Sequence, residues 1–164
     1  MITDSGVAAS PPNSGFPLVV GIGDDAAAWR TVDAVGLSTT DTMVEGVHFN
    51  HETISWHDVG WKAMVANYSD IAAMGGTPVY ALATIGVPKD TPLTTVDEIY
   101  RGVIEAALEY EGAIAGGDVV RSPVTFVTIS VSGIHRGQPM LRSAASQDDL
   151  LAVTGFLGSS RAGL

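Results

Sequence analysis

The alternation of apolar and polar residues predicts a sheet built from several strands. Short apolar runs bounded by glycine or proline predict strands at residues 18–22, 34–40, 79–87 and 113–115. The run at 44–49 continues the second strand after a bend at Gly46, and residues 150–153 begin a further strand. The longest strand is predicted at 124–134, where Val127, Ile129 and Val131 alternate with hydroxyl side chains.

Two helices are predicted between these strands. The first spans 55–74, with Ser55 as N-cap, and the second spans 95–111, where Thr95 and Glu98 form a capping box. Gly112 ends the second helix. Strands interleaved with helices predict an α+β fold, in which a mixed β-sheet carries the helices on one face. The other face then requires a cover, either a partner subunit or a second domain.

Composition narrows the classes of function. The 164-residue chain has a formal net charge of −10, which opposes binding to nucleic acid or to an anionic membrane surface. The chain has no cysteine, which excludes disulfides, thiolate metal sites and a cysteine nucleophile. The sequence has no signal peptide and no apolar run long enough to cross a bilayer, so we expect a cytoplasmic protein. Residues 1–15 are predicted to be a flexible tail.

Acidic residues follow several of the predicted elements. Asp24-Asp25, Asp41 and Asp118 are predicted to lie in turns after short strands. Asp70 is predicted near the carboxyl end of the first helix, where the helix dipole disfavours a carboxylate. Clustered carboxylates and threonine hydroxyls favour magnesium, which commonly shares its oxygen ligands with substrate phosphates. The alternatives are that the turns are only turns and that Asp70 faces solvent beside Ser69.

Other kinds of site receive little support. Neither of the two lysines, Lys62 and Lys89, lies in a Walker A loop. Residues 21–23 do not continue into a dinucleotide-binding fingerprint. A zinc site at His48 and His51 would have no obvious third ligand. We expect His48 to face a substrate or to form a hydrogen bond within its own strand.

Together these segments resemble the thiamine-monophosphate kinases, which belong to a superfamily with aminoimidazole ribonucleotide synthetase (PurM). The resemblance extends from about residue 18 to the end of the chain, and the run at 44–49 separates this kinase best from its superfamily relatives. The segments that carry the resemblance are residues 21–26, 38–42, 44–49, 62–75, 116–118 with Arg121, 141–143, and 153–155 with Gly158.

The resemblance implies a PurM-type N-terminal domain that binds ATP and magnesium and forms a homodimer through its sheet. The implied reaction transfers the γ-phosphoryl group of ATP to thiamine monophosphate, giving thiamine diphosphate, and His48 matches a position that contacts the thiamine phosphate. The matching metal ligands are Asp25, Thr39, Thr40, Asp41, Asp70 and Asp118, and the matching ATP contacts are Tyr110, Gly117, Asp118 and Arg142.

The resemblance also implies a division of the chain into a tail at 1–15, an N-terminal domain at 16–148, and the start of a truncated C-terminal domain at 149–164. Two departures from the family are the absence of a helix before residue 18 and the early end of the C-terminal domain. We therefore expect the chain alone to turn over poorly or not at all. The alternatives are a non-catalytic dimerisation and magnesium-binding module, or another superfamily enzyme such as a hydrogenase-maturation relative.

Overall fold

A computed structural model describes residues 18–20, 27–31 and 33–159 of the chain. The predicted tail and the Asp24-Asp25 turn therefore lie outside the described residues. Two long helices, α1 (Trp56–Ala73) and α2 (Leu93–Glu109), are followed late in the chain by a short 3₁₀ helix at Arg142–Ala144. The strands are β1 (Leu18–Val20), β2 (Ala27–Arg30), β3 (Val35–Val44), β4 (Thr77–Val87), β5 (Ala113–Arg121) and β6 (Phe126–His135).

The strands form one mixed sheet in the order β1-β2-β3-β6-β4-β5. Every neighbouring pair is antiparallel except β4 and β5, which are parallel and are joined through α2. The last long strand, β6, lies between β3 and β4, so Ser130 is opposite Thr40 on one side and opposite Leu82 on the other. The predicted mixed sheet is confirmed.

The two faces of the sheet differ in what they contact. On one face Leu37, Ile85 and Ile129 are fully buried in a core shared with Ile71 of α1 and Ile99 of α2. The side chains that alternate with them point to the opposite face, because successive residues of a strand alternate in direction. Tyr80 and Leu82 on that face are 57% and 52% exposed. The helices therefore lie on one face, as predicted.

The first predicted helix is correct to its capping residue. The backbone N–H of Asp58 donates to Ser55 Oγ at 3.1 Å, and Ser55 Oγ donates to Asp58 Oδ2 at 2.7 Å.

The capping box predicted for the second helix is wrong. The helix α2 begins at Leu93 with Pro92 in the N-cap position, and Thr95 is buried within its first turn. Proline already has the backbone φ angle that the start of a helix requires, which explains the earlier start.

The two helices approach each other closely through glycine. A Cβ atom on Gly102 would lie 1.9 Å from the carbonyl oxygen of His57, and one on Gly60 would lie 2.0 Å from that of Ile99. Beside this crossing, His57 Nε2 lies 2.8 Å from Glu105 Oε2, and its Nδ1 lies 3.2 Å from Asp58 Oδ1. These hydrogen bonds are the main cause of a raised pKa at His57.

Three local predictions are wrong. Asp41 and Asp118 do not lie in turns but inside β3 and β5, because both strands are much longer than their apolar runs. Residues 44–49 do not continue β3 as a strand but form a turn, in which Gly46 has φ +78° and Glu45 bridges to Phe49. Residues 150–153 are irregular, and Leu150 is 97% exposed.

Candidate functional site

The best-defined contact among the predicted site residues joins β3 to α1. Thr39 Oγ1 donates to Asp70 Oδ2 at 2.6 Å, and both residues are partly buried. The hydrogen bond pairs a hydroxyl with a carboxylate near the carboxyl end of a helix, where the backbone dipole provides no compensation for negative charge. Of the two alternatives for Asp70, a free solvent-facing carboxylate is therefore wrong.

Adjacent residues of β3 lie on opposite faces of the sheet. Asp41 is two residues beyond Thr39 and lies on the helix side of the sheet, where it is exposed. Thr40 points the other way, and its Oγ1 contacts Ser130 Oγ at 2.8 Å. The next hydroxyl on that face, Thr42 Oγ1, lies 2.8 Å from Thr128 Oγ1. The pleat thus separates Thr40 from the other predicted magnesium ligands of this strand.

Asp118 lies at one edge of the sheet, three strands away from β3. It occupies the edge strand β5, opposite Thr84 of β4. Three strand spacings separate β5 from β3, a distance of about 14 Å across the sheet. Its neighbour Gly117 lies against β4 so closely that a Cβ atom would be 1.9 Å from the carbonyl oxygen of Ala83. A larger residue at position 117 would therefore disturb the pairing of β5 with β4 at Gly117 and Asp118, two of the predicted ATP contacts.

Tyr100 of α2 is a site candidate that the sequence did not indicate. Burial raises the pKa of its hydroxyl, and the negative charge of Asp118 raises it further. The two side chains are thus close enough to interact electrostatically. An isolated tyrosine within a helical apolar stripe gives no signal of this proximity, since it depends on how α2 packs against the sheet.

The predicted ATP contact Tyr110 borders a separate cavity of about 300 Å³. Its ring packs edge-to-face against Tyr68 with a centroid distance of 6.0 Å. The Tyr68 hydroxyl is buried and has no hydrogen-bond partner in the described part of the chain. Burial also raises the pKa of that hydroxyl. The cavity is lined by Val65, Tyr68, Ser69, Ala72, Pro78 and Tyr110.

His48 is held within the turn that follows β3. Its Nδ1 accepts a hydrogen bond from the backbone N–H of Val44 at 3.1 Å, and its carbonyl oxygen lies 3.4 Å from Lys62 Nζ. Nearby, His51 contacts the carboxylate of Glu45 and stacks on Trp56 with an interplanar angle of 5°. His48 and His51 are therefore held by different partners rather than paired around a shared ion.

Two predicted site residues remain, Arg142 and Asp25. Arg142 opens the exposed 3₁₀ helix late in the chain, and Asp25 lies outside the described residues. Among residues 18–20, 27–31 and 33–159, no three histidines or carboxylates are grouped closely enough to hold a metal ion. The structure thus brings Thr39 and Asp70 together, with Asp41 on the same side of β3, and leaves Asp118 on another strand.

Comparison with known proteins identifies the family. Residues 23–135 match the model of the AIR synthase related protein, N-terminal domain. The chain belongs to this family. The match extends from residue 23 through β6, so it includes both long helices and every strand except β1.

The most informative relatives are enzymes. Thiamine-monophosphate kinase from Bacillus subtilis is 44% identical over 148 residues, covering 88% of this chain and 46% of the relative. The enzyme of the same name from Rhodopirellula baltica is 42% identical over 156 residues, covering 89% of this chain and 49% of the relative. The matched part of this chain thus covers less than half the length of each of these relatives.

The fold agrees with a solved structure of the same group. AaThiL complexed with AMPPCP and TMP superposes with a TM-score of 0.73 at 34% identity, covering 76% of this chain and 40% of that one. The thiamine monophosphate kinase from Aquifex aeolicus gives a TM-score of 0.65 at 33% identity, covering 70% of this chain and 38% of that one. The PurM-type fold predicted from the sequence is therefore confirmed.

No helix in the described residues is long and apolar enough to span a membrane.

Proposed function

We propose that this chain forms the ATP- and magnesium-binding part of a thiamine-monophosphate kinase. The whole enzyme would transfer the γ-phosphoryl group of ATP to the phosphate of thiamine monophosphate. Relatives at 42–44% identity carry this name, and a structure with AMPPCP and TMP shares the fold. The observation in this chain that carries the proposal is the Thr39–Asp70 contact, which pairs two predicted magnesium ligands.

The donor set near Thr39 suits magnesium. Thr39, Asp41 and Asp70 offer only oxygen atoms, which a hard cation prefers, and they lie on one side of β3. They are part of a ligand set rather than the whole of one. We propose that Asp25 and Asp118 complete the metal sites around ATP, and that bound phosphates supply further oxygen ligands. The Thr40 hydroxyl faces the other side of the sheet and takes no part. Magnesium would neutralise the phosphates that a chain of net charge −10 would otherwise repel.

The chain's residues would act mainly by positioning. The acceptor in this reaction is already a phosphate oxygen, so the transfer needs alignment and charge neutralisation more than a strong base. We propose that Gly117, Asp118, Tyr110 and Arg142 contact ATP and that His48 contacts thiamine monophosphate. Gly117 and Asp118 are both exposed at the edge strand, so a ligand can reach them.

We further propose that the enzyme is a cytoplasmic homodimer. The sheet face opposite the helices exposes Tyr80 and Leu82 of β4, where a monomer would place apolar side chains in water. A second copy packed on this face would bury them. Such packing would also bring the sheet residues of two chains near one another, including Thr40 and Thr42.

Isothermal titration calorimetry with ATP tests the proposed function. We expect the chain to bind ATP in the presence of magnesium and to lose binding in EDTA. Asp41→Ala and Asp118→Ala should each abolish the magnesium-dependent binding. The matched control is Asp90→Ala, which removes an exposed carboxylate from the turn after β4.

Each outcome separates the proposal from its alternatives. Binding that survives EDTA would contradict the carboxylate–magnesium mechanism. Dimer formation without ATP affinity in either condition would instead support a non-catalytic dimerisation module. An equal loss of binding in the Asp90→Ala control would show that net charge, and not the named carboxylates, controls ATP affinity.

A further inference from the structure

The only parallel strand pair in the described residues ends beside a cavity. Strands β4 and β5 are joined through α2 and stop side by side, with Val87 opposite Arg121 at the last paired position. The backbone N–H of Ser122 donates to the carbonyl oxygen of Val87 at 2.9 Å, which holds the two strand ends together. Ligands of open α/β sheets bind beyond the carboxyl ends of parallel strands, so this end of the sheet is a candidate site.

Two cationic residues line this cavity, which has a volume of about 220 Å³. Lys89 follows β4, Arg121 is the last residue of β5, and both are exposed. The rest of the lining is apolar and consists of Val87, Pro88, Val119 and Val120. Most ligand pockets have volumes of roughly 300–1,000 Å³. The Lys89–Arg121 cavity therefore suits a small ion, or one charged group of a larger molecule.

Neither cation is neutralised by a carboxylate. In the described part of the chain, Arg101 pairs with Glu98 and Glu105, but no ion pair includes Lys89 or Arg121. Two like charges that share a cavity repel each other, and an anion bound between them removes that repulsion. The chain has 8 Lys and Arg residues against 18 Asp and Glu residues. Two cations in one cavity without a carboxylate partner therefore indicate an anionic ligand.

The loop that leads from β4 to α2 keeps this region positive. The Thr91 N–H donates to the Pro88 carbonyl oxygen at 3.2 Å, which closes a turn with Lys89 and Asp90 at its central positions. The helix α2 then begins at Leu93, where no described side chain caps it and no acidic residue lies in its first turn. The positive end of the helix dipole is therefore not neutralised. Asp90 is the only carboxylate of this loop, and within the described ranges it forms no ion pair.

We propose that the Lys89–Arg121 cavity binds a phosphate group directly, without a metal ion. A guanidinium group binds phosphate oxygens through two parallel hydrogen bonds, and an ammonium group adds a compact positive charge. Two cations match the charge of a phosphate dianion, whereas a carboxylate carries a single charge. The ligand is either free inorganic phosphate or the phosphate end of a small organic molecule, whose body would contact the apolar lining.

This anion site is separate from the proposed magnesium site. Arg121 lies three residues beyond Asp118, a distance of about 10 Å along β5. Residues an odd number of positions apart in a strand point to opposite faces of the sheet, so the two side chains do not share a ligand position. The inference therefore goes beyond the proposed function and does not depend on it. Unlike ATP binding at Asp118, phosphate binding at this cavity should persist in EDTA.

Nitrogen-15 NMR of the full chain, titrated with inorganic phosphate in EDTA at constant ionic strength, tests the site. We expect the backbone amide resonances of Lys89, Val119 and Arg121 to shift and to saturate in the millimolar range, because two exposed cations offset only part of the cost of binding. Acetate at the same concentrations should shift these resonances much less. The absence of shifts in EDTA, or equal shifts with acetate, would overturn the proposal.

Three variants that each remove one positive charge show which cations bind the phosphate. Lys89→Met and Arg121→Met should each weaken phosphate binding by about tenfold, which corresponds to the loss of one charge-assisted hydrogen bond. Arg136→Met removes the same charge from the exposed turn after β6, outside the cavity, and should leave phosphate affinity unchanged. Equal weakening by all three variants would overturn the proposal, because it would show only an effect of net charge. If Arg121→Met does not fold, Lys89→Met and Arg136→Met still decide the outcome, because both change exposed turns.

Two further titrations establish the independence of the site and the source of its ligand. Asp118→Ala should still bind inorganic phosphate, and a loss of the shifts in this variant would assign the anion to the proposed magnesium site and overturn the proposal. Phenyl phosphate distinguishes the two sources of the phosphate group. Tighter binding of phenyl phosphate than of inorganic phosphate would identify the ligand as the phosphate end of an organic molecule, and equal or weaker binding would identify it as free phosphate.

Discussion

The hydroxyl of Thr39 and the carboxylate of Asp70 are joined by a 2.6 Å hydrogen bond between the third strand and the first long helix. The two residues are 31 positions apart in the chain. A partly buried carboxylate near the carboxyl end of a helix is costly without such a partner. The bond therefore stabilises the fold while it keeps two oxygen donors side by side.

Thr39→Val should lower the free energy of unfolding by about 1.5–3 kcal/mol, because it leaves the Asp70 carboxylate without its donor. Urea denaturation monitored by circular dichroism measures the change. Thr42→Val is the matched control, since its bond to Thr128 is exposed on the other face of the same strand. If both variants lost the same stability, the Thr39–Asp70 bond would have no special importance.

The stability of the helix pair should depend on pH through His57. The hydrogen bond to Glu105, followed by that to Asp58, raises the pKa of His57 above its ordinary value of 6.5. A raised folded-state pKa gives stability that is complete below the unfolded pKa and is lost as pH rises through the folded pKa. His57→Gln should therefore destabilise the protein more at about pH 5.5 than at about pH 8.5.

Parallel denaturation of Glu105→Gln checks the cause of this dependence. Glu105→Gln removes the main hydrogen-bond partner of His57. The stability that His57 contributes should then vary less with pH, because only the weaker Asp58 contact still raises its pKa. A His57→Gln effect of equal size at both pH values would contradict the raised pKa of His57.

Two adjacent glycines of the fifth strand should respond differently to alanine. A Cβ atom on Gly117 would lie 1.9 Å from the Ala83 carbonyl oxygen, whereas one on Gly116 would find its nearest contact at 3.5 Å. Gly117→Ala should therefore cost about 1–3 kcal/mol and displace the edge strand. Gly116→Ala should leave the melting temperature nearly unchanged. A similar loss in both would show that β propensity, and not the close approach, explains the glycines.

Leu82→Glu should convert the proposed homodimer to a monomer, because it places a charge within the exposed sheet face beside Tyr80. Analytical ultracentrifugation measures the mass of the species in solution. Leu108→Glu is the control, since Leu108 is 70% exposed on α2, on the helix side of the sheet. The proposed interface would be wrong if Leu108→Glu dissociated the dimer and Leu82→Glu did not.

The sequence predicted those helices and strands that neighbouring residues are sufficient to specify. The Ser55 cap predicted the start of α1, and the alternation around Ile129 predicted the sixth strand, because capping and periodicity are properties of neighbouring residues. The residue types of Gly116-Gly117-Asp118 favour a turn at Asp118. In the structure, pairing with β4 outweighs that preference.

The candidate site was less predictable than the fold. Thr39 and Thr40 are adjacent and were assigned one metal role, yet the pleat directs them to opposite faces of the sheet. Tyr100 was missed because its proximity to Asp118 depends on the packing of α2. Leu150 lies in no strand since, in the described residues, no neighbouring strand pairs with its segment.

The central pairing of the sheet also constrains how the protein folds. Thr40 meets Ser130 across 90 positions of the chain, and Thr42 meets Thr128 across 86. Contacts so distant in sequence carry a large loop-closure cost and are associated with slow folding. During synthesis the backbone groups of β3 that pair with β6 stay unpaired until β6 has left the ribosome. The third strand is then exposed to strand-mediated aggregation while the residues between it and the sixth strand are synthesised.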